Sequence, residues 1–248
     1  MTRIFQDILV AFQFLTRLPL VRLHYNPDGL IRAAKFFPLV GLAIGAGAAG
    51  IYGLVSPHLP IAVVAVLIVL FSTLVTGGLH EDGLADAADA FGGGWNKEQI
   101  LDIMKDSRIG SYGALAIVFS VAGRVLLLTY LPPASLVQYV ISADVLCRWT
   151  MLPLSVGLPG ARENASQGAR IAGKISGISL AIGTLFSFGV VGCLLRMSAA
   201  KPIIAASIVM LLSALYYKHR IGGITGDCFG TTSQLTLVAV YLCGVWHR

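Results

Sequence analysis

The chain has 248 residues, of which 56% are hydrophobic and 12% charged, with mean hydropathy +0.80 and formal net charge +6. Soluble domains carry about 25% charged residues, so composition excludes a soluble fold and implies one polytopic integral-membrane domain over residues 1–248. The basic residues flank apolar runs, which speaks for membrane orientation and against nucleic acid.

Residues 1–23 are apolar but interrupted by Arg3, Asp7 and Arg17, and no small-residue cleavage site follows. This pattern excludes a signal peptide and predicts an amphipathic helix on the membrane surface. About seven spans follow, at roughly 36–56, 60–78, 112–131, 134–157, 176–196, 201–217 and 231–246. Each is near the length a bilayer requires. The expected fold is therefore all-α, a transmembrane helix bundle. Gly41, Gly45 and Ala49 recur at four-residue spacing in the first span, a pattern that lets helices approach closely. The four cysteines, Cys147, Cys193, Cys228 and Cys243, are scattered without a CxxC pair. That argues against a zinc site or a disulfide framework.

Lysine and arginine set the orientation. Arg3, Arg17, Arg22, Arg32 and Lys35 precede the first span, and the loops 79–111, 158–175 and 218–230 carry further basic residues. Only Arg196, Lys201 and Arg248 fall on the other side. The asymmetry predicts a cytoplasmic N-terminus, three cytoplasmic polar loops and a C-terminus across the membrane.

The loop 79–111 holds most of the acid in the protein: Glu81, Asp82, Asp86, Asp89, Glu98, Asp102 and Asp106. If residues 81–90 are helical, Asp82, Asp86 and Asp89 share one face at i, i+4, i+7 spacing. Three carboxylates on one face repel unless a cation sits between them. A divalent metal with oxygen ligands is the expected answer, which points to Mg²⁺ and phosphoryl chemistry. The plainer alternative is a solvated acidic helix, but such helices normally intersperse lysines. His80 is a candidate general base or a structural histidine. Beyond the glycine run, residues 97–106 form a short amphipathic helix. It leads into Asp106-Ser107-Arg108-Ile109-Gly110. Arginine, serine and glycine backbone in a turn suit phosphate oxygens, and a plain turn leading into the membrane is the alternative. Asp227 lies in the glycine-rich stretch Gly222–Gly230 and is the only acid after Glu163. It is a functional candidate, or a cap for the last span. Asp144 and Arg148 suit an intramembrane ion pair, and Arg124 stands alone in its span.

These motifs together resemble the cobalamin synthase family of adenosylcobinamide-GDP ribazoletransferases. The matching residues run from Phe14-Leu15-Thr16-Arg17-Leu18-Pro19 through Thr76-Gly77-Gly78-Leu79-His80 and Asp82-Gly83-Leu84-Ala85-Asp86 with Asp89. They continue with Met104-Lys105-Asp106-Ser107-Arg108-Ile109-Gly110, Gly173-Lys174, Gly222-Gly223 and Thr225-Gly226-Asp227. The resemblance implies a Mg²⁺-dependent multi-pass enzyme of the cell inner membrane. It would join adenosylcobinamide-GDP to α-ribazole or its 5′-phosphate and release GMP, in the last stage of cobalamin assembly. Asp82, Asp86 and Asp89 would hold the metal, and Asp227 and His80 would act in catalysis. Arg17, Lys105, Asp106, Ser107, Arg108, Lys174 and Gly226 would bind substrate. Membrane lipid is an expected partner, and a homo-oligomer is an expectation of the same kind. The chain departs from the family pattern at Gln234 and Leu237, where acids are usual.

Two rivals are weighed against this. A CDP-alcohol phosphotransferase shares an aspartate cluster at a membrane face, but Asp86 stands where its pattern has arginine. An ion-coupled transporter places its charges near the bilayer midplane on broken helices, whereas these acids cluster at one edge.

Overall fold

The computed structural model describes residues 2–19, 27–162 and 171–246. The charges expected at Arg22, Arg170 and Arg248, and residues 163–170 of the third loop, lie outside the described residues. The described residues fold as an all-α bundle with no strand, apart from one isolated bridge that pairs Gly160 with Ile224.

Helix α1, Arg3–Leu15, buries Asp7, Ala11 and Leu15 on one face and exposes Ile4 and Phe5 on another. Asp7 is held by Arg32 at 3.4 Å and Lys35 at 3.7 Å, on and just after α2, Pro27–Ala33. The following helices are α3, Phe37–Val55, and α4, Ile61–Thr76. Gly77 (φ +67°) and Gly78 (φ +72°) then adopt the left-handed conformation that glycine alone enters without strain. They turn α5, Leu79–Gly93, through 88° from α4. Helix α5 therefore runs almost perpendicular to α4. Next come α6, Lys97–Ile103, and α7, Ser111–Tyr130. The Asn96 side chain caps α6 by accepting the Gln99 N–H. The expected loop 79–111 is thus largely helical.

Helix α8, Pro133–Trp149, runs into α9, Met151–Gly157. Helices α10, Gly177–Leu195, and α11, Ala200–Ile221, are separated at Arg196, whose φ of +49° breaks the run. Helix α12, Gly226–Val245, closes the chain. All seven expected spans are helical. By length and composition, four stretches can cross a membrane: Asp28–Val55, Ser111–Tyr130, Gly177–Ile221 and Gly226–Val245. A fifth counts if α4 and α5 are one broken span. This differs from about seven for physical reasons. Helix α4 is only 16 residues long. Helix α8 carries Asp144 and Arg148. The stretch Gly177–Ile221 has 45 residues, about twice what one crossing needs.

The small-residue face of α3 packs as its spacing implied. A Cβ on Gly41 would strike the backbone of Asp144, and one on Gly45 would lie 2.7 Å from Ile141 Cα. Cys147 and Cys228 are buried small hydrophobes, and all four cysteines are free.

Candidate active site

Two helices build the site. Helix α5 brings Asp82, Asp86 and Asp89, and the N-terminus of α12 brings Gly226 and Asp227. They cross at two glycines, where a side chain on either would crowd the other helix. A Cβ on Gly83 would lie 3.0 Å from Asp227 Cα, and one on Gly230 would lie 3.0 Å from the His80 carbonyl oxygen. This close approach sets Asp227 beside the α5 carboxylates. Thr231 bridges the crossing with its hydroxyl, donating to the Gly83 and Asp227 carbonyls at 3.1 and 2.9 Å. The Asp227 carboxylate accepts from the Thr225 hydroxyl at 3.0 Å.

A cavity of about 390 Å³ opens against this crossing, a size within the range of small-ligand pockets. Its floor is apolar, with Leu15, Met151, Ile171 and Phe229 buried. Its rim carries Arg17, Asp82, Gly226 and Asp227. Arg17 folds over Gly77, where any Cβ would meet its side chain, and its N–H donates to the Val75 carbonyl at 2.7 Å.

Electrostatics tie the carboxylates together. Burial first, then the charges of Asp82, Asp227 and Asp89, push the Asp86 carboxyl up to about 6 from its ordinary value near 3.8. A carboxyl raised by folding binds its proton more tightly in the native state than in the unfolded chain. Its stabilising contribution is complete below pH 3.8 and is lost as pH rises to about 6. In chelator, the Tm advantage of Asp86→Asn over the parent should therefore grow across that window. A constant difference between the two melts from pH 4 to pH 7 would show that Asp86 does not feel its neighbours.

Among the described residues no group of three or more His, Cys, Asp or Glu side chains forms a ready-made metal centre. The donor chemistry nevertheless fits a hard divalent cation. Asp82 and Asp86 are oxygen donors on one face of α5, and burial followed by the Asp82 charge raises the Asp86 carboxyl. Asp89, expected as the third ligand, has both oxygens engaged. They accept the N–H groups of Gly110 at 2.7 Å and Gly113 at 2.9 Å. It docks the turn that opens α7 onto α5, and neither glycine leaves room for a Cβ.

His80, a candidate general base or a structural histidine, lines the cavity. It is 4% exposed, and its Nε2 has no hydrogen-bond partner. Burial, then the Arg148 charge, push its pKa down to about 3, away from the value a base needs at neutral pH. Lys105, Ser107 and Arg108 are exposed outside the cavity. Lys105 pairs with Asp102 at 3.3 Å. Arg108 pairs with Asp106 at 2.6 Å, and its hydrogen bonds hold the Asp106 carboxyl down at about 2. Lys174 is exposed beside Gly173, also outside the cavity lining.

Two features escaped the sequence reading. Arg124 is not alone: it meets Glu81 at 2.9 Å, and Glu81 also accepts from Thr73 at 3.0 Å. A lone intramembrane arginine was the available signal, since it requires an acid. Arg162 reaches the Leu101 carbonyl, and its charge is felt at Asp227. The pair Asp144–Arg148 forms as expected, at 2.7 Å and fully buried.

The cobalamin-5-phosphate synthase family model matches residues 7–245. The chain belongs to this family. Its relatives include three proteins named adenosylcobinamide-GDP ribazoletransferase. That of Leptospira interrogans is 37% identical, with 94% of this chain and 92% of the relative covered. That of a Polaromonas species is 37% identical over 96% and 95%, and that of Azorhizobium caulinodans 40% over 98% and 96%. No solved structure matches the chain. At the two departures from the family pattern, buried Gln234 accepts from the Ser120 hydroxyl at 2.9 Å and Leu237 joins the core. Neither position lines the cavity.

Proposed function

We propose that this chain is a Mg²⁺-dependent membrane phosphotransferase that joins adenosylcobinamide-GDP to α-ribazole or α-ribazole 5′-phosphate and releases GMP. The family and the names of its relatives support the substrates. The observation that carries the chemistry is the crossing at Gly83 and Gly230, which sets Asp82 and Asp227 at one cavity and brings both within electrostatic reach of Asp86.

Asp82 and Asp86 would hold Mg²⁺, which when bound neutralises charge on phosphate oxygens. Phosphoryl transfer relies on positioning and charge neutralisation more than on covalent help. Asp227 accepts the proton of the attacking hydroxyl, held in place by Thr225. Asp89 fixes the turn that carries Ser107 and Arg108. Arg17 binds substrate phosphate at the cavity rim, and Lys174 and Gly226 bind substrate from the neighbouring loops. The apolar floor keeps water from the reacting phosphorus.

The test is an assay of purified protein with adenosylcobinamide-GDP, α-ribazole and Mg²⁺, with and without chelator. GMP release that chelator abolishes supports the reading. Full activity in chelator would remove the metal, and absence of GMP release would remove the reaction. Flux of an ion through liposomes with no product would instead favour a transporter.

Arg108 offers a second test. Its pair with Asp106 is exposed and worth little in water, so a substrate phosphate can replace the carboxylate with a forked contact. Arg108→Ala should weaken binding of the GDP-activated substrate about tenfold or more. Lys should recover only part of this, because it cannot fork. Unchanged binding in titration calorimetry would leave Arg108 an orientation signal alone.

The site end of the bundle faces the cytoplasm of the cell inner membrane in this reading. Support comes from the lysine and arginine asymmetry and from the run of α12, whose first turn holds Asp227 and whose far end is Val245. A reporter fused after Arg248 should be active only in its periplasmic form. Cytoplasmic reporter activity there would reverse the assignment.

A further inference from the structure

Behind α5 lies a second concavity that the reaction does not use. It is an open groove of about 410 Å³ between α5, α11 and α12, with Leu84, Ala88, Phe91, Leu212, Tyr216 and Leu235 along its walls. At 100° per residue, the α5 positions 84, 87, 88 and 91 lie opposite Asp82, Asp86 and Asp89. The groove therefore looks away from the carboxylates and cannot present a phosphate to them. Leu212, Leu215 and Leu235 beside it are exposed, on the outer surface of an apolar bundle.

The end of the groove is cationic. The last turn of α11 carries Lys218, His219 and Arg220. The Arg220 guanidinium sits 5.8 Å from the Phe91 ring centroid and 5.6 Å from that of Tyr216, two of the groove walls. It is fixed by donating to the Tyr216 hydroxyl at 2.9 Å and to the carbonyls of Gly94 at 2.8 Å and Phe91 at 3.4 Å. All three acceptors are neutral. Lys97 Nζ lies beside Gly222, just past the same turn. Among the described residues, none of Lys97, Lys218 and Arg220 is paired with a carboxylate. An apolar slot ending in fixed, unneutralised positive charge matches an amphiphile with an anionic head.

We infer that this groove binds an anionic phospholipid, with one acyl chain between α5 and α11 and the phosphate headgroup at Arg220. The lipid would brace α5 from the side opposite the carboxylates. The inference does not depend on which reaction the chain catalyses.

The test uses the purified full chain in detergent, with phosphatidylglycerol or phosphatidylcholine of identical acyl chains added. Lipid retained per protein is read by native mass spectrometry, and Tm by thermal unfolding. Phosphatidylglycerol should be retained and raise Tm by about 2–4 °C, while phosphatidylcholine does neither to the same extent. Ala88→Phe, which fills the groove, should lose retention of both lipids. Arg220→Gln should lose the preference for phosphatidylglycerol. If Ala88→Phe does not fold, Ala88→Leu makes the same comparison. Lys201→Gln, at the other end of α11, should keep the preference. Equal retention of the two lipids by the parent would overturn the inference. So would unchanged phosphatidylglycerol retention in the groove and arginine variants, or a loss in Lys201→Gln as large as in Arg220→Gln.

Discussion

Arg148→Met should destabilise the protein by about 3–5 kcal/mol, read as a large fall in Tm in detergent. Arg148 and Asp144 are each 2% exposed, and their contact of 2.7 Å lies inside α8. Removing the guanidinium alone leaves the Asp144 carboxylate buried without its partner, and an uncompensated buried charge is far costlier than a missing pair. Asp144→Asn together with Arg148→Met removes both charges and should recover at least half of the loss. Helix α8 packs on Gly41 and Gly45 of α3 through the backbone around Asp144, so asparagine, which keeps the aspartate volume, is the appropriate partner change. A double variant as unstable as the sum of the two single variants would mean that the pair is not coupled. A single-variant loss under about 1 kcal/mol, the scale of exposed pairs, would mean that water reaches it.

The same pair marks where sequence reasoning works and where it stops. Asp144 and Arg148 are four apart in one helix, so their contact is local and follows from spacing. Glu81 and Arg124 are 43 residues apart and belong to different helices, and nothing local in either helix names the other. The apolar runs were legible because each crossing must satisfy its own backbone. The turn between α4 and α5 was not, because two glycines permit a left-handed turn without dictating its angle. Asp82, Asp86 and Asp89 do share a helix, as their spacing implied. That Asp89 would accept two backbone N–H groups depends on where Gly110, 21 residues later, meets α5. Spacing on α5 cannot show that. Nor can it show that Gly83 and Gly230 cross, although both stand in stretches rich in small residues.

Asp82→Asn and Asp86→Asn should each lower activity by about 10²–10³-fold, the scale of losing one charge-stabilising group at a reacting centre. Both changes keep the side-chain size and remove an anionic donor. If these residues were only a solvated acidic face, either change would relieve repulsion and be harmless. The raised Asp86 carboxyl makes that contrast sharper. Burial, then its neighbours Asp82, Asp227 and Asp89, already disfavour its charge, so Asp86→Asn should raise Tm in chelator while activity falls. Stability and activity then move in opposite directions, which simple misfolding cannot produce. Higher Mg²⁺ should restore part of the lost activity, because a weakened site fills by mass action. Asp89→Asn should behave differently. It keeps only one oxygen for the two N–H groups of Gly110 and Gly113, so its defect should include loss of Tm and should not respond to Mg²⁺. Glu98→Gln, an exposed acid on α6 away from the cavity, should keep full activity. Full activity in Asp82→Asn and Asp86→Asn at limiting Mg²⁺ would sink the metal assignment, and with it the case for phosphoryl transfer at this crossing.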